Sequence, residues 1–557
     1  MMRMLRAFSR IFLIRQGIVL ILAMSCVPGL PQTRQPQARG DVPLAAGDYR
    51  IAGMVVNAVT GEPLRHATVA ALTEADSHTV ASVESDNEGR FALEQLPAAK
   101  YQLTASKRGF RTAFYDEHED FNSAIVTGPG QDTERLTFGL VPGAVLRGVI
   151  TGDGGDPVEN ARVMLFRKPN THKLGDRITQ VDSAITDDTG AYEIGNLAPG
   201  EYLVAVTGEP WYAVRRNGGN RPGDETTAAL DVAYPVTFFD STTDEESATA
   251  MVLTGGSHEE ANINVHAVPA LRLVVETPRK QDGSIARPEL RQTVFGSVIS
   301  AESSGFVLPN QSGSTEFTGI APGRYELAQG DPPRVMDLDA TASEKVDPGQ
   351  GTPTTAVSGV LRAATGSIMS GETTVLLEWV DGGHHEQTAQ TTATNGRFSF
   401  SSVPQGTWQL WADRGGRQLA IESITTGNKT HSGGSVTVRE KALSLAVNIS
   451  DGATRVEGFA RRDGKGVAGV MVVLVPKDLT AMHALVRRDQ SDSDGSFGLR
   501  DVVPGEYTVV AIEDGWKLDW AQAAVISRYL PKGIAVTVND RPGKALSLST
   551  AVQVQDR

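Results

Sequence analysis

The chain has a single cysteine, Cys26, in 557 residues. No intramolecular disulfide can form, so any core must be held by packing and backbone ladders. Histidine is sparse, with ten residues, and none is followed by glutamate three positions on: the followers are Val69, Ala81, Phe121, Gly175, Ala261, Pro269, Gln387, Thr388, Gly434 and Val486. This excludes the His-x-x-Glu pair by which a zinc peptidase leaves one coordination position for water. His-Glu-x-x-His and Gly-x-Ser-x-Gly are also missing, and Cys26 has no evident base, so neither serine nor cysteine hydrolase chemistry is indicated. Basic runs are missing beyond the first residues and the net charge is −14, which argues against nucleic acid as a partner. No long segment carries a 3.6-residue apolar period, and the one sustained apolar run, residues 17–24, falls short of a membrane span.

What the chain does have is glycine (58) and proline (28), set out in a repeating pattern. A glycine is followed twelve positions later by an aromatic residue as Gly89/Tyr101, Gly190/Tyr202, Gly313/Tyr325, Gly396/Trp408 and Gly495/Tyr507. Between them, apolar residues occupy fixed offsets, as in Tyr192, Ile194 and Leu197 of the second copy; Thr315 is the one polar intruder. The spacing predicts a turn, a short strand with alternate residues inward, a Pro/Gly corner and a second strand entered by the aromatic. The chain is too long for one core, and the expectation is an all-β tandem array of five Greek-key or prealbumin-like sandwiches.

The expected organisation is a signal peptide at 1–25 and a Pro-rich tether at 26–47. Sandwiches follow at 48–140, 141–270 with a long loop at 211–231, 271–352 including a linker, 353–450 and 451–557. Residues 1–25 place arginines ahead of the apolar run, as an export signal does. Leu22-Ala23-Met24-Ser25-Cys26 resembles a bacterial lipobox, which implies lipidation of Cys26; an ordinary cleavage site near Ala23 is the alternative. A short capped helix is expected over residues 519–527.

Copies one, two and five share a longer pattern, Gly-x-Val, Gly-x-Pro, Ala-x-Val, then Asp-x-x-Gly-x-Phe-x-Leu-x-x-Leu-x-Pro-Gly-x-Tyr. It is carried in copy two by Gly148, Asp156-Pro157, Ala161, Asp187, Gly190 and Pro199-Gly200-Glu201-Tyr202. This resembles the carboxypeptidase regulatory-like domain, a transthyretin-like sandwich also grouped with carbohydrate-binding-like folds. The resemblance covers most of residues 48–557, with copies three and four matching in the second half only. It implies an exported bacterial protein of largely unassigned function.

The candidate sites are modest. His384-His385-Glu386 reads as a solvated hairpin tip rather than a metal site. Asp86, Asp187, Asp188, Asp492 and Asp494 are read as turn-forming rather than calcium-binding residues. By strand parity Trp411 faces outward, opposite Trp408 and Leu410. With Trp516 and Trp520 it is a candidate platform for stacking a ligand, though packing against a neighbouring domain competes. Trp211, opening the long loop, is a further position of interest. No cofactor is expected. The functional expectation is a non-enzymatic, exported β-sandwich rod serving as a binding, adhesive or spacer scaffold at the cell envelope. Its partners would be a polysaccharide or another envelope protein, with membrane contact only through Cys26. The alternatives are a carbohydrate-binding protein or an accessory subunit of a separate peptidase or transporter.

Overall fold

A computed structural model describes residues 47–557 except 75–76, 120, 170–177, 215–228, 278–286, 301–303, 308–313, 331–332, 364–365, 381–387, 415–416, 451–453, 480–484 and 540–543. Residues 1–46 with Cys26, Gly313 and the His384–His385–Glu386 cluster lie outside the described residues. From residue 46 onward the chain forms one compact unit, almost entirely strand.

One frame recurs five times. The strands Tyr49–Asn57, Ala144–Thr151, Leu271–Glu276, Thr352–Ala363 and Thr454–Arg462 each open a repeat. Each pairs antiparallel with the strand that follows the turn glycine: Arg90–Leu96, Ala191–Leu197, Ser314–Ile320, Arg397–Pro404 and Ser496–Val502. On its other edge each pairs parallel with a later strand: Leu136–Leu140, His258–Glu260, Glu344–Val346, Leu443–Ser450 and Ala545–Ser547. A parallel partner requires a crossover rather than a hairpin, and the crossover is made through the second sheet. There the strand entered by the repeat aromatic pairs antiparallel with an earlier strand, as Lys100–Ser106 does with Thr68–Thr73, and likewise in the other four repeats. Among the described residues each repeat has its own buried core. The all-β sandwich expectation therefore holds, and the plan extends to the third and fourth repeats, whose sequences carry only half of the pattern.

In repeats two and five a pair of neighbouring strands is buried on both faces: Arg162–Arg167 with Gly200–Thr207, and Met471–Pro476 with Gly505–Ile512. Arg162–Arg167 and Met471–Pro476 are apolar at consecutive positions, the pattern of a strand covered on both sides. The outer face of the first is covered by the hairpin tip of repeat three. Phe295 meets Phe166 and Phe238 edge-on with ring centroids 5.1 Å apart in both cases, and Val294 and Ile299 complete the contact. The outer face of the second is covered by the segment after the last sandwich hairpin, where Trp520 and Ile526 pack on Met471 and Val473. The helix in that segment is one turn, Ala523–Ile526, and its N-cap Gln522 makes no side-chain capping bond, so the capped helix expected there is shorter and uncapped.

Repeats three and four share a sheet. The strand Pro333–Ala340 pairs with the start of Thr352–Ala363 through Arg334↔Pro353 and Val335↔Thr352. Repeats one and two meet at Arg111, whose Nη1 donates to the Asn196 carbonyl at 2.7 Å. The fifth repeat packs on the first, a contact not expected from the sequence.

Candidate functional site

The recurring unit is used for structure in every copy the structure describes. Gly89, Gly190, Gly396 and Gly495 have φ between +70° and +81°, a conformation glycine adopts at little cost. A Cβ on Gly190 would also lie 2.4 Å from the Ile150 carbonyl oxygen. Asp86 Oδ1 accepts from the backbone N–H of Glu88 and Arg90, and Asp187 Oδ1 from those of Thr189 and Ala191. These are Asx-turn bonds, and the Thr189 hydroxyl, which donates to the same oxygen at 2.7 Å, together with them holds the Asp187 carboxyl below its usual range. Asp494 Oδ1 likewise accepts from Ser496 N–H at 2.9 Å.

The aromatic at the end of each unit is not just filler. Tyr101, Tyr202, Tyr325 and Tyr507 donate their hydroxyls to Pro97, Ala198, Ala321 and Val503, each four residues upstream, at 3.1, 2.7, 2.8 and 2.7 Å. Trp408 does the same with its indole N–H to Pro404 at 2.9 Å. Each ring is buried while its polar handle ties down the corner, which is why the position holds tyrosine or tryptophan and never phenylalanine. Burial raises the hydroxyl pKa of all four tyrosines, to about 12 at Tyr325. A second recurring bond lies next to the turn. Ser85, Thr186 and Ser491 hydroxyls donate to the carbonyls of Leu64, Val158 and Val467 and accept from the N–H of Ala67, Ala161 and Val470.

The outward tryptophans divide. Trp411 lies on the solvent side of its strand, between buried Leu410 and Ala412, and its indole N–H donates to Glu378 Oε2 at 2.7 Å. Trp211 is 80% exposed, with the Tyr212 ring edge-on to it. Trp516 and Trp520 are in a different situation. Trp520 is buried, 6% exposed, and the Arg488 guanidinium sits 3.9 Å from its ring centroid. Trp516 donates to the Gly469 carbonyl and lies against His118, stacked at 5.5 Å, and Phe121 at 5.3 Å. Ligand stacking at Trp520 is therefore corrected: its faces are occupied by the protein itself. Trp516 is committed to the contact with the first repeat.

That contact gathers charged, polar and aromatic side chains of both repeats. Arg488, with its side chain 6% exposed, pairs with Glu119 of repeat one at 2.7 Å and faces the rings of Phe121, Trp516 and Trp520. A guanidinium stacked on aromatic faces and paired with a carboxylate is favourable when desolvated. Gln490 Nε2 donates to the Asp116 carbonyl and to Ser123 Oγ. Lys100 Nζ lies 2.5 Å from Asp492 Oδ2 and donates to Ser496 Oγ. Asp492 Oδ1 accepts from Ala124 N–H, Ser493 N–H donates to the Ala124 carbonyl, and Val126 N–H donates to Ser493 Oγ. At the rim Arg500 pairs with Glu74 at 2.6 Å. Asp492 stands where Asp86 and Asp187 serve their own turns, but its side chain is shared: Oδ2 accepts from Ser496 Oγ of its own turn at 3.2 Å and meets Lys100, Oδ1 accepts from Ala124 N–H of the first repeat, and Asp494 Oδ1 takes the Ser496 N–H. Desolvation outweighs the attraction of Lys100 and raises the Asp492 carboxyl pKa. Asp489 beside it is pushed up to about 6 by burial, with the Gly498 N–H bond opposing and the charge of Asp492 adding.

The packing of Trp516 against a neighbouring domain is an expectation from sequence; which domain it meets is not legible there. The repeat-one half of the contact, residues 116–126, has no period and no motif. The paired acids Asp492 and Asp494 are no sign of it, because Asp187 and Asp188 are paired at the corresponding turn of repeat two.

Residues 50–141 and 145–233 each match the carboxypeptidase regulatory-like domain. Residues 454–529 match the second β-sandwich domain of BOS complex subunit NOMO1-like proteins. No curated protein matches the chain. Similar solved structures include the minor pilin GBS52 of Streptococcus agalactiae, at 13% identity and TM-score 0.20 over 40% of this chain and 97% of that one. The Bacillus anthracis TIE protein is similar at 11% identity and TM-score 0.16, over 69% and 68%. The Bacillus cereus major pilin subunit BcpA is similar at 14% identity and TM-score 0.13, over 55% and 99%. At these scores the likenesses add nothing to what the strand pairing already establishes.

Proposed function

We propose, from the tandem carboxypeptidase regulatory-like domains that the chain carries, that it is a non-enzymatic scaffold exported to the cell envelope, where it presents sandwich faces to a polysaccharide or to another envelope protein. The observation that carries this reading is how the repeated polar residues are used. Turn aspartates, corner aromatics and buried Ser/Thr hydroxyls are engaged in holding successive sandwiches and joining them. The N-terminal arginines and apolar run of residues 1–25 support export, and Cys26 in its lipobox-like setting supports an anchor. The test is to express the full chain, fractionate the cells, and probe the purified protein with envelope extracts and a glycan array. Recovery in the envelope or medium with a retained partner is expected; a cytoplasmic chain that retains nothing overturns the reading.

Exposed Trp211 and outward Trp411 favour carbohydrate as the partner, since an open indole face suits the apolar C–H edge of a sugar ring. Alanine at both positions should abolish polysaccharide retention while leaving the melting profile unchanged. Unaltered retention would assign the partner to another surface.

A further inference from the structure

The joint between repeats one and five consists of contacts between side chains and backbone groups 367 to 426 residues apart. Its two faces are different. Repeat one supplies Lys100, Glu119, Phe121 and the backbone of Ala124 and Val126; repeat five supplies Arg488, Asp492, Ser493 and Trp516. A non-identical pair of faces is a heterologous interface. It closes when both faces belong to one chain and propagates, or closes in a larger ring, when they come from different chains.

We propose that this joint is an exchangeable clasp: closed within one chain at low concentration, and re-formed between two copies when they meet, repeat one of each taking repeat five of the other. Three features carry the exchange. The joint differs from that between repeats two and three, where Phe295 is inserted among Phe166, Phe238 and other apolar side chains. Here charge pairs and backbone bonds predominate around a single Arg–aromatic anchor, so the separated faces remain compatible with water. Next, parting the faces does not unravel the fifth repeat, because the bonds of its turn lie within the repeat: Asp494 accepts from Ser496 N–H, Asp492 from Ser496 Oγ, and Ser491 keeps its bonds to Val467 and Val470. Last, the two partners reside at opposite ends of the array. Closure within a chain competes with closure between chains only through the effective concentration that the intervening repeats impose.

The joint can be made complementary only between chains. In the full-length protein, Lys100→Asp alone leaves two carboxylates facing each other, and Asp492→Lys alone leaves two ammonium groups. In an equimolar mixture, repeat five of the Asp492→Lys chain meets repeat one of the Lys100→Asp chain with opposite charge. The reciprocal joint keeps the native Lys100–Asp492 pair. Light scattering and small-angle X-ray scattering should find each variant alone monomeric, with a larger radius of gyration than wild type. The mixture should be a dimer, and the double variant should return to a compact monomer. Single variants as compact as wild type would show that the joint does not hold the chain; open variants that stay monomeric on mixing would show that it does not exchange. Should either variant fail to fold, Glu74→Arg and Arg500→Glu at the rim of the same joint provide the same mixture and the same two overturning results.

Discussion

A tyrosine at a strand entrance is easily read as a core residue and nothing more. The alternation of apolar positions after Gly190 does place Tyr202 in the core, and it is buried there. What the pattern does not carry is the direction of the hydroxyl, which depends on the corner bringing the Ala198 carbonyl back over the ring. Five corners make the same bond, so its contribution can be measured by removing one oxygen. Tyr202→Phe keeps the ring and leaves a part-buried carbonyl without its donor, at a cost of about 1–2 kcal/mol. Local hydrogen exchange across residues 191–207 should accelerate by roughly tenfold on that scale, with the other repeats unaffected. Unchanged protection would mean that the corner is held by packing alone. Gly190 was legible for the opposite reason: a turn at positive φ restricts the residue type at the position itself, without reference to anything distant.

At the scale of the element, period-two patterning identifies strands but not what lies over their outer faces. Met471–Pro476 reads as a strand either way, and its unbroken apolar run signals a cover without identifying it. The neighbouring edge strand Arg487–Gln490 is less legible still, being polar throughout and half-buried. Its polarity is explained by the first repeat, to which it gives Arg488 and Gln490. Asp489, on the same strand but pointing the other way, faces Gly498 N–H and feels Asp492 and Arg500. Its folded pKa of about 6 stands above the ordinary 3.8. The folded state therefore favours the protonated acid, and ionisation costs stability. That cost is absent below about pH 4, grows as pH rises towards 6, and is constant above it. Asp489→Asn keeps an acceptor for Gly498 and removes the charge. The variant should be more stable than wild type at pH 7, by about 3 kcal/mol, and equal to it near pH 4. Denaturant titrations at the two pH values measure this; a variant that is less stable at pH 7 would show that the carboxylate is favourably solvated.

At the scale of the whole molecule, the all-β sandwich character was legible in the sequence and the contact between the first and fifth repeats was not. The difference has a physical cause. Strand and turn are short-range properties, recoverable from residues within one repeat, whereas the joint between repeats one and five depends on complementarity between segments more than 360 residues apart. Nothing local distinguishes Glu119 or Phe121 from ordinary loop residues. The arrangement nonetheless concentrates its energy in one place, since Arg488 alone touches Glu119, Phe121, Trp516 and Trp520. A buried cation that joins an ion pair to three aromatic faces behaves as an interface anchor, and truncating it should cost on the order of 2–4 kcal/mol. Arg488→Ala should therefore open the joint while leaving both sandwich cores intact, because neither core includes Arg488. Hydrogen exchange should rise together in residues 116–126 and 490–496, the two halves of one joint. Protection should persist in Tyr49–Asn57 and Met471–Pro476, the inner strands of the two repeats. Exchange rising only in repeat five would mean that Arg488 supports its own sandwich and that the ends of the chain are held by Lys100 and Asp492 instead.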